Sequence, residues 1–133
     1  MRTHAAVWID HREARVFHVQ PETPGHVQPE PVDEATIVSP THRFHRHPKG
    51  RGDPKEHPED AARFFTDVAR SLDSADTVLV VGPASAKQEF ADYLDRHDPR
   101  LRAKIAGIET LDHPTDREII AYARRYFKGS DRM

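Results

Sequence analysis

The clearest pattern in the chain is an unbroken apolar run, Val78–Val81, followed at once by Gly82-Pro83. A run without polar alternation is typical of a strand that is buried on both faces of a sheet. Ser85 and Gln88 have the spacing of a capping box, which predicts that a helix starts near Ser85. A buried strand, a glycine turn and a helix form half of a β-α-β unit, so this stretch predicts an α/β domain.

Three stretches before this run are predicted strands. Ala5–Asp10 and Ala14–Val19 are separated only by a short turn at Asp10-His11-Arg12, which predicts an antiparallel hairpin. Val32–Ser39 predicts a third strand at an edge of the sheet. We expect Ala5–Asp10 to lie beside Val78–Val81 and parallel to it, with Val78–Val81 in the centre of the sheet.

Helices are predicted where apolar positions recur at a spacing of about 3.6 residues. The first begins at Pro58, a favourable first-turn residue, and its apolar positions continue to Leu72. The second begins near Ser85, and Asp98-Pro99 starts a short helical turn that runs through Lys104.

The last strand and the last helix complete the order of elements. Ile105–Thr110 is a predicted strand, and Thr115 with Glu118 forms a second capping box that opens the final helix. The resulting order, β-β-β-α-β-α-β-α, predicts a mixed five-stranded sheet with helices on its faces. This order is the pattern of the ribonuclease H-like fold.

Composition narrows the class of protein. The 133 residues are 36% hydrophobic and 32% charged, which predicts one globular domain spanning residues 1–133. The net charge of −2 excludes a strongly basic nucleic-acid binder, so any basic surface must be local. The absence of cysteine excludes thiolate ligands and fits a cytoplasmic protein, and no apolar segment has the length of a signal peptide or a membrane span.

Residues 40–57, called here the basic segment, differ from the rest of the chain. They contain three prolines, two glycines and a single large apolar residue, Phe44, which predicts a mobile loop. Two acidic residues oppose five cations, so the net charge of the segment is +3 with histidine neutral. Flexible basic loops bind phosphates because each cation releases condensed counterions. We therefore predict contact with RNA or the ribosome, with an unliganded surface loop as the alternative, and the residues involved are Arg43, Arg46, Lys49, Arg51 and Lys55.

Lys87 is a further predicted phosphate-binding residue. It lies in the first turn of the second helix, where its ammonium group and the helix amides after Gly82 would suit a phosphate. The alternative is an ordinary exposed lysine. No metal or cofactor is predicted. A weaker alternative for the basic segment is a zinc or nickel site formed by three imidazole groups: His42, His45 and His47.

The predicted fold requires a check for a nuclease site. Cleavage with two metal ions needs several converging carboxylates, for which Asp10, Glu59 or Asp60, and Asp116 are available. The end of the fourth strand offers Gly82-Pro83 and no acid, so Asp10 is better explained as a turn residue. Asp112 and His113 are likewise assigned to loop hydrogen bonding, because no serine stands in a recognisable nucleophile elbow.

Three segments resemble a known family. Val80–Phe90 resembles the Gly-Ser-Ala-x-x-Lys-x-Glu segment in the middle domain of the class-1 release factors of eukaryotes and archaea, a domain that Pelota-type ribosome-rescue proteins share. Pro48–Gly52 resembles the lead-in to the Gly-Gly-Gln loop of the release factors, and Asp98–Ile105 is similar to the segment before their last strand. The chain also resembles the bacterial translational machinery proteins, which are similar to this middle domain standing alone.

The resemblance favours an association with translation, and we predict a non-enzymatic module that contacts ribosomal RNA or a ribosomal partner. Where the release factors have Gly-Gly-Gln, this chain has Gly52-Asp53-Pro54, so the glutamine that helps to position the hydrolytic water is missing. Peptidyl-tRNA hydrolysis is therefore not expected. Two other classes stay open: a metal-dependent nuclease or hydrolase of RNA-linked substrates, and a stress or regulatory protein that acts through protein contacts.

Overall fold

The computed structural model describes residues 3–19, 33–38 and 58–131, and these form one five-stranded sheet and four helices. The basic segment, including its predicted mobility, lies outside the described residues. The strands are β1 His4–Ile9, β2 Glu13–Val19, β3 Asp33–Val38, β4 Thr77–Gly82 and β5 Ile105–Thr110. The helices are α1 Pro58–Leu72, α2 Ala86–His97, α3 Pro99–Lys104 and α4 Asp116–Asp131.

The strands are ordered β3-β2-β1-β4-β5 across the sheet. β1 and β2 form the predicted antiparallel hairpin, and β3 is antiparallel to β2 at one edge. β4 is parallel to both β1 and β5. The element order and the mixed sheet confirm the predicted ribonuclease H-like fold. β4 is an interior strand as expected, but β1 rather than β4 has two strands on each side.

Both faces of β1 are buried, because helices cover both faces of the sheet. Val7 and Ile9 lie on one face as predicted, and they join a core made with α1, α2 and α3. Trp8 lies on the other face, where Ile119 and Phe127 of α4 pack against it and its neighbours. All six residues of β1 are at most 1% exposed, and this strand is the middle strand of the sheet.

The predicted capping box at the start of α4 is confirmed. The backbone amide of Glu118 donates to Thr115 Oγ1 at 3.1 Å, and the backbone amide of Thr115 donates to Glu118 Oε1 at 2.8 Å. These two reciprocal bonds satisfy amide groups that would otherwise have no partner at the helix start. None of the helices in the described part of the chain has the length and apolar character needed to cross a membrane.

Tyr126 of α4 reaches β5, the second edge strand. Its hydroxyl donates to the Ala106 carbonyl at 3.0 Å, beside the register shift between β4 and β5. A side chain at Gly107 would collide with this hydroxyl group, so Gly107 leaves the space that Tyr126 uses. The phenol therefore covers part of an edge strand whose backbone would otherwise be open to water.

This contact predicts a loss of stability at alkaline pH. Burial, and next the negative charge of Glu109, raise the pKa of Tyr126 above 10.0, so the folded state favours the neutral phenol. The stabilisation is complete below the unfolded-state pKa and decreases as the pH rises through the higher folded-state pKa. Urea denaturation at pH 8, 10 and 11 should show a steeper decrease for the wild type than for Tyr126→Phe. Parallel curves for the two proteins would contradict the assignment.

Candidate functional site

The parallel strands end at one edge of the sheet, called here the carboxyl edge. Ile9, Gly82 and Thr110 are the last residues of β1, β4 and β5, and strand pairing places them side by side. Val38 ends β3 at the same edge, because it pairs with Glu13 at the start of β2. Ligands of open α/β sheets bind outside the carboxyl ends of the strands. This edge is therefore the candidate functional site.

The basic segment leaves and re-enters the described structure at this edge. It follows β3, whose end at Val38 lies there, and it precedes Pro58, the first residue of α1. His18 lies near the end of β2, at the opposite edge of the sheet. Its Nε2 donates to the Ser71 carbonyl at 3.0 Å, so the last turn of α1 lies at that opposite edge too. The 15 residues of α1 extend about 22 Å, roughly the length of a strand, so Pro58 lies near the carboxyl edge. The five predicted site residues of this segment themselves lie outside the described residues: Arg43, Arg46, Lys49, Arg51 and Lys55.

Lys87, the remaining predicted site residue, is buried. Its side chain is 8% exposed and its ammonium group donates to the Ala84 carbonyl, so the expectation of an exposed lysine is wrong. The helical spacing Lys87, Phe90, Ala91, Leu94 places the side chain on the buried face of α2, a signal that the sequence already contained. The ammonium group holds the turn at the carboxyl edge. Phosphate binding by Lys87 stays a prediction.

The start of α2 is stabilised differently from the prediction. The helix begins at Ala86 as expected, but the Ser85 side chain makes no capping hydrogen bond, so the capping box with Gln88 is wrong. The Ser85 hydroxyl instead donates to Glu89 Oε2 at 2.9 Å. Ser85 has helical backbone angles, with φ −88° and ψ −11°, and its side chain reaches along the first turn to Glu89.

Glu89 connects α2 to the hairpin turn. His11 Nε2 lies 3.1 and 3.2 Å from the two carboxylate oxygens of Glu89, and Ser85 bonds to the same carboxylate. In a catalytic triad the histidine lies between the serine and the acid, whereas here the acid lies between the other two. The arrangement therefore does not activate Ser85 as a nucleophile, and it fastens the hairpin turn to α2.

Asp10 acts as a turn residue, as predicted. Its Oδ1 accepts from the backbone amides of Arg12 and Glu13 at 2.8 and 2.9 Å, and the Asp10 amide donates to the Glu13 carbonyl at 3.0 Å. Asp116, a second carboxylate considered for a nuclease site, pairs with Arg15. Among the side chains that the structure describes, which do not include those of Glu59 and Asp60, no three carboxylate or imidazole groups are placed to hold a metal ion.

Trp8 and Arg15 organise the loop after β5, a role that the sequence did not indicate. Trp8 Nε1 donates to the Leu111 carbonyl at 3.3 Å, and the guanidinium carbon of Arg15 lies 4.6 Å from the centre of the Trp8 ring. The Leu111 amide donates to the Gly82 carbonyl at 3.0 Å, which ties the loop to the end of β4. In the same loop, Asp112 and His113 pair at 3.0 Å and both are largely exposed, which confirms the predicted loop contact.

A groove of about 350 Å³ lies at the opposite edge of the sheet, between the C-terminal halves of α1 and α2. Thr66 Oγ1 and the Tyr93 hydroxyl share a hydrogen bond of 2.6 Å in its wall. The lining mixes cations and acids, so no single class of charged ligand fits it, and it contains none of the predicted site residues: Thr66, Ala69, Arg70, Asp73, Tyr93, His97 and Asp98.

Comparison with solved structures finds the same fold in parts of larger proteins. Pelota from Archaeoglobus fulgidus superimposes with a TM-score of 0.62 and 18% identity, over 99% of this chain and 35% of that chain. Pelota from Thermoplasma acidophilum gives a TM-score of 0.60 and 19% identity, over 98% of this chain and 34% of that chain. The archaeal translation termination factor aRF1 gives a TM-score of 0.54 and 16% identity, over 91% of this chain and 33% of that chain.

No protein-family model and no curated protein matches the sequence. The chain spans about a third of the length of the three solved structures, and it is less than 20% identical to each of them. At this level of identity the likeness concerns the fold. The fold implied by the release-factor resemblance is thereby confirmed: the chain has a ribonuclease H-like domain similar to one part of Pelota and aRF1.

Proposed function

We propose that this chain is a non-enzymatic, translation-associated module of the cytoplasm that contacts ribosomal RNA or a ribosomal partner through the basic segment. The observation that carries the proposal is the position of the two ends of this segment. Val38 lies at the carboxyl edge and Pro58 lies near it, and the sequence between them contains five cations. Lys87 holds the adjoining turn at the same edge. The likeness to an archaeal translation termination factor supports translation as the process.

The proposal explains why the described part of the edge contains no assembled catalytic group. Asp10 serves the hairpin turn, Glu89 joins two elements, and Asp116 neutralises Arg15. Each acid is thus engaged in holding the edge in shape. An edge whose acids hold the structure together suits a module that binds a partner rather than one that carries out catalysis.

Sedimentation with ribosomes tests this function. Replacing Arg43, Arg46, Lys49 and Arg51 with Gln should weaken association about tenfold or more, because it removes most of the phosphate contacts. The wild type should show a log–log salt slope of about −2 to −4, for three to five contacts of about 0.7 each. The melting temperature should stay nearly unchanged, because exposed charges contribute little to folding.

A matched control removes the same charge from the described helices. Four exposed arginines lie on α1, α2 and α3, and their replacement by Gln should leave ribosome association within about twofold of the wild type: Arg63, Arg70, Arg96 and Arg100. Equal sedimentation of the wild type and the basic-segment variant would remove the basis of the proposal. The segment would then be an unliganded surface loop.

A further inference from the structure

The solvent-facing side of α4 carries a row of cations on the opposite face of the sheet from α1 and α2. Ile119, Ala123 and Phe127 are at most 1% exposed and mark the buried side of the helix. At 100° per residue, a second set of positions falls on the side away from them. This set extends about 16 Å along the helix axis, and its members are Arg117, Arg124, Arg125 and Lys128.

The two acids in the first turn of α4 have other partners than its three arginines. Asp116 pairs with Arg15, and Glu118 accepts the Thr115 amide in the capping box. No acidic residue occurs from Ile119 to Lys128, and Glu109 of β5 lies on the flank beside Tyr126. The charged residues from Ile119 to Lys128 are therefore all cations.

Helix stability does not account for the row. A cation stabilises a helix in its last turn, where it faces the negative end of the dipole, and of the four only Lys128 lies there. Arg117 lies in the first turn, where a positive charge opposes the dipole. Arg117, Arg124 and Arg125 also make no ion pair with an acid of the described residues. Three arginines thus occupy positions where folding gains nothing from their charge.

The chemistry of the row indicates a phosphate backbone. Arginine presents a planar fork of donors that matches phosphate oxygens in pairs. A membrane surface is a poor fit, because an interfacial helix needs a free apolar face and that of α4 is buried in the core. A protein partner is also a poor fit, since interfaces rely on buried aromatic or aliphatic anchors and the centre of the row offers only Ala121.

We propose that the solvent-facing side of α4 is a second RNA-contact surface, which binds the phosphate backbone independently of the basic segment. The inference rests on the proposed function for the class of partner. It adds that the module contacts RNA on two sides, at the carboxyl edge and across α4.

Fluorescence anisotropy with a labelled RNA hairpin tests the surface in the full-length chain. The variant Arg117→Gln, Arg124→Gln, Arg125→Gln should bind the hairpin about tenfold or more weakly at about 50 mM salt. Its log–log salt slope should be smaller by about two to three, at about 0.9 for each lost duplex contact. The control Arg63→Gln, Arg70→Gln, Arg96→Gln removes the same charge from α1 and α2, and it should bind within about twofold of the wild type.

Equal weakening in the two triple variants would overturn the inference, because net charge alone would then govern binding. Unchanged binding of the RNA hairpin by the α4 variant would also overturn the inference. So would a loss of affinity for poly-glutamate in that variant without a loss of affinity for RNA. Circular dichroism of both variants checks that α4 is intact. The basic-segment variant tests the proposed function separately. If that variant loses ribosome association while the α4 variant binds as the wild type does, only the α4 surface is refuted.

Discussion

Gly82→Ala is expected to lower the free energy of unfolding by about 3 kcal/mol, the upper part of the range for overpacking a core. A Cβ atom at this position would collide with the Ile9 carbonyl oxygen, in the strand that pairs with β4. In a domain of this size the melting temperature should decrease by about 10 °C. Thermal and urea denaturation followed by circular dichroism measure both values.

The effect is large because the atom in the way belongs to the backbone. Ile9 is fully buried at the end of β1, between β2 and β4, so its carbonyl cannot rotate aside without breaking strand pairing. The Gly82 carbonyl also accepts the Leu111 amide, and any shift of β4 would carry the loop after β5 with it. Close approach of two backbones is a recognised reason for glycine in a strand.

Gly107→Ala is the matched control. Its added Cβ would also meet an atom at too short a distance, but that atom is the Tyr126 hydroxyl at the end of a rotatable side chain. Tyr126 can move away at the expense of its hydrogen bond to Ala106, which is worth about 1 kcal/mol. Similar losses in the two variants would show that Gly82 does not report a backbone collision.

Phe127→Ala is expected to cost about 3 to 5 kcal/mol, the usual range for truncating a buried phenylalanine. The ring is 1% exposed and stacks on His4, with centroids 4.4 Å apart and an interplanar angle of 20°. His4 is itself buried and pairs through Nδ1 with the Thr77 hydroxyl, so the cavity would border a polar group. Urea denaturation measures the loss.

Phe127→Leu keeps most of the apolar volume and should cost about 1.5 kcal/mol or less. Hydrogen exchange of the α4 amides adds a local measurement, because α4 is expected to lose protection before β1 in the alanine variant. A loss in Phe127→Ala below about 1 kcal/mol would mean that Phe127 contributes far less to the core than its burial indicates.

Local patterns in the sequence were sufficient to predict the elements and their order. The apolar run at Val78–Val81 predicted an interior strand, the short turn at Asp10 predicted the hairpin, and Thr115 with Glu118 predicted the start of α4. Each of these features depends on residues within a few positions of one another. The order of the elements then left few topologies available, since crossovers between parallel strands are almost always right-handed.

Contacts between elements that are distant in sequence were decided only by the tertiary structure. Ser85 has the residue type and spacing of a cap, yet its hydroxyl bonds to Glu89, which also binds His11 from the hairpin. Arg15 joins Trp8 to Asp116, a residue 101 positions further along the chain. A pattern within one element indicates which side chains share a face, and Lys87 shared the buried face of α2 for that reason. The partner that covers the face depends on how the other elements pack, and no local pattern contains that information.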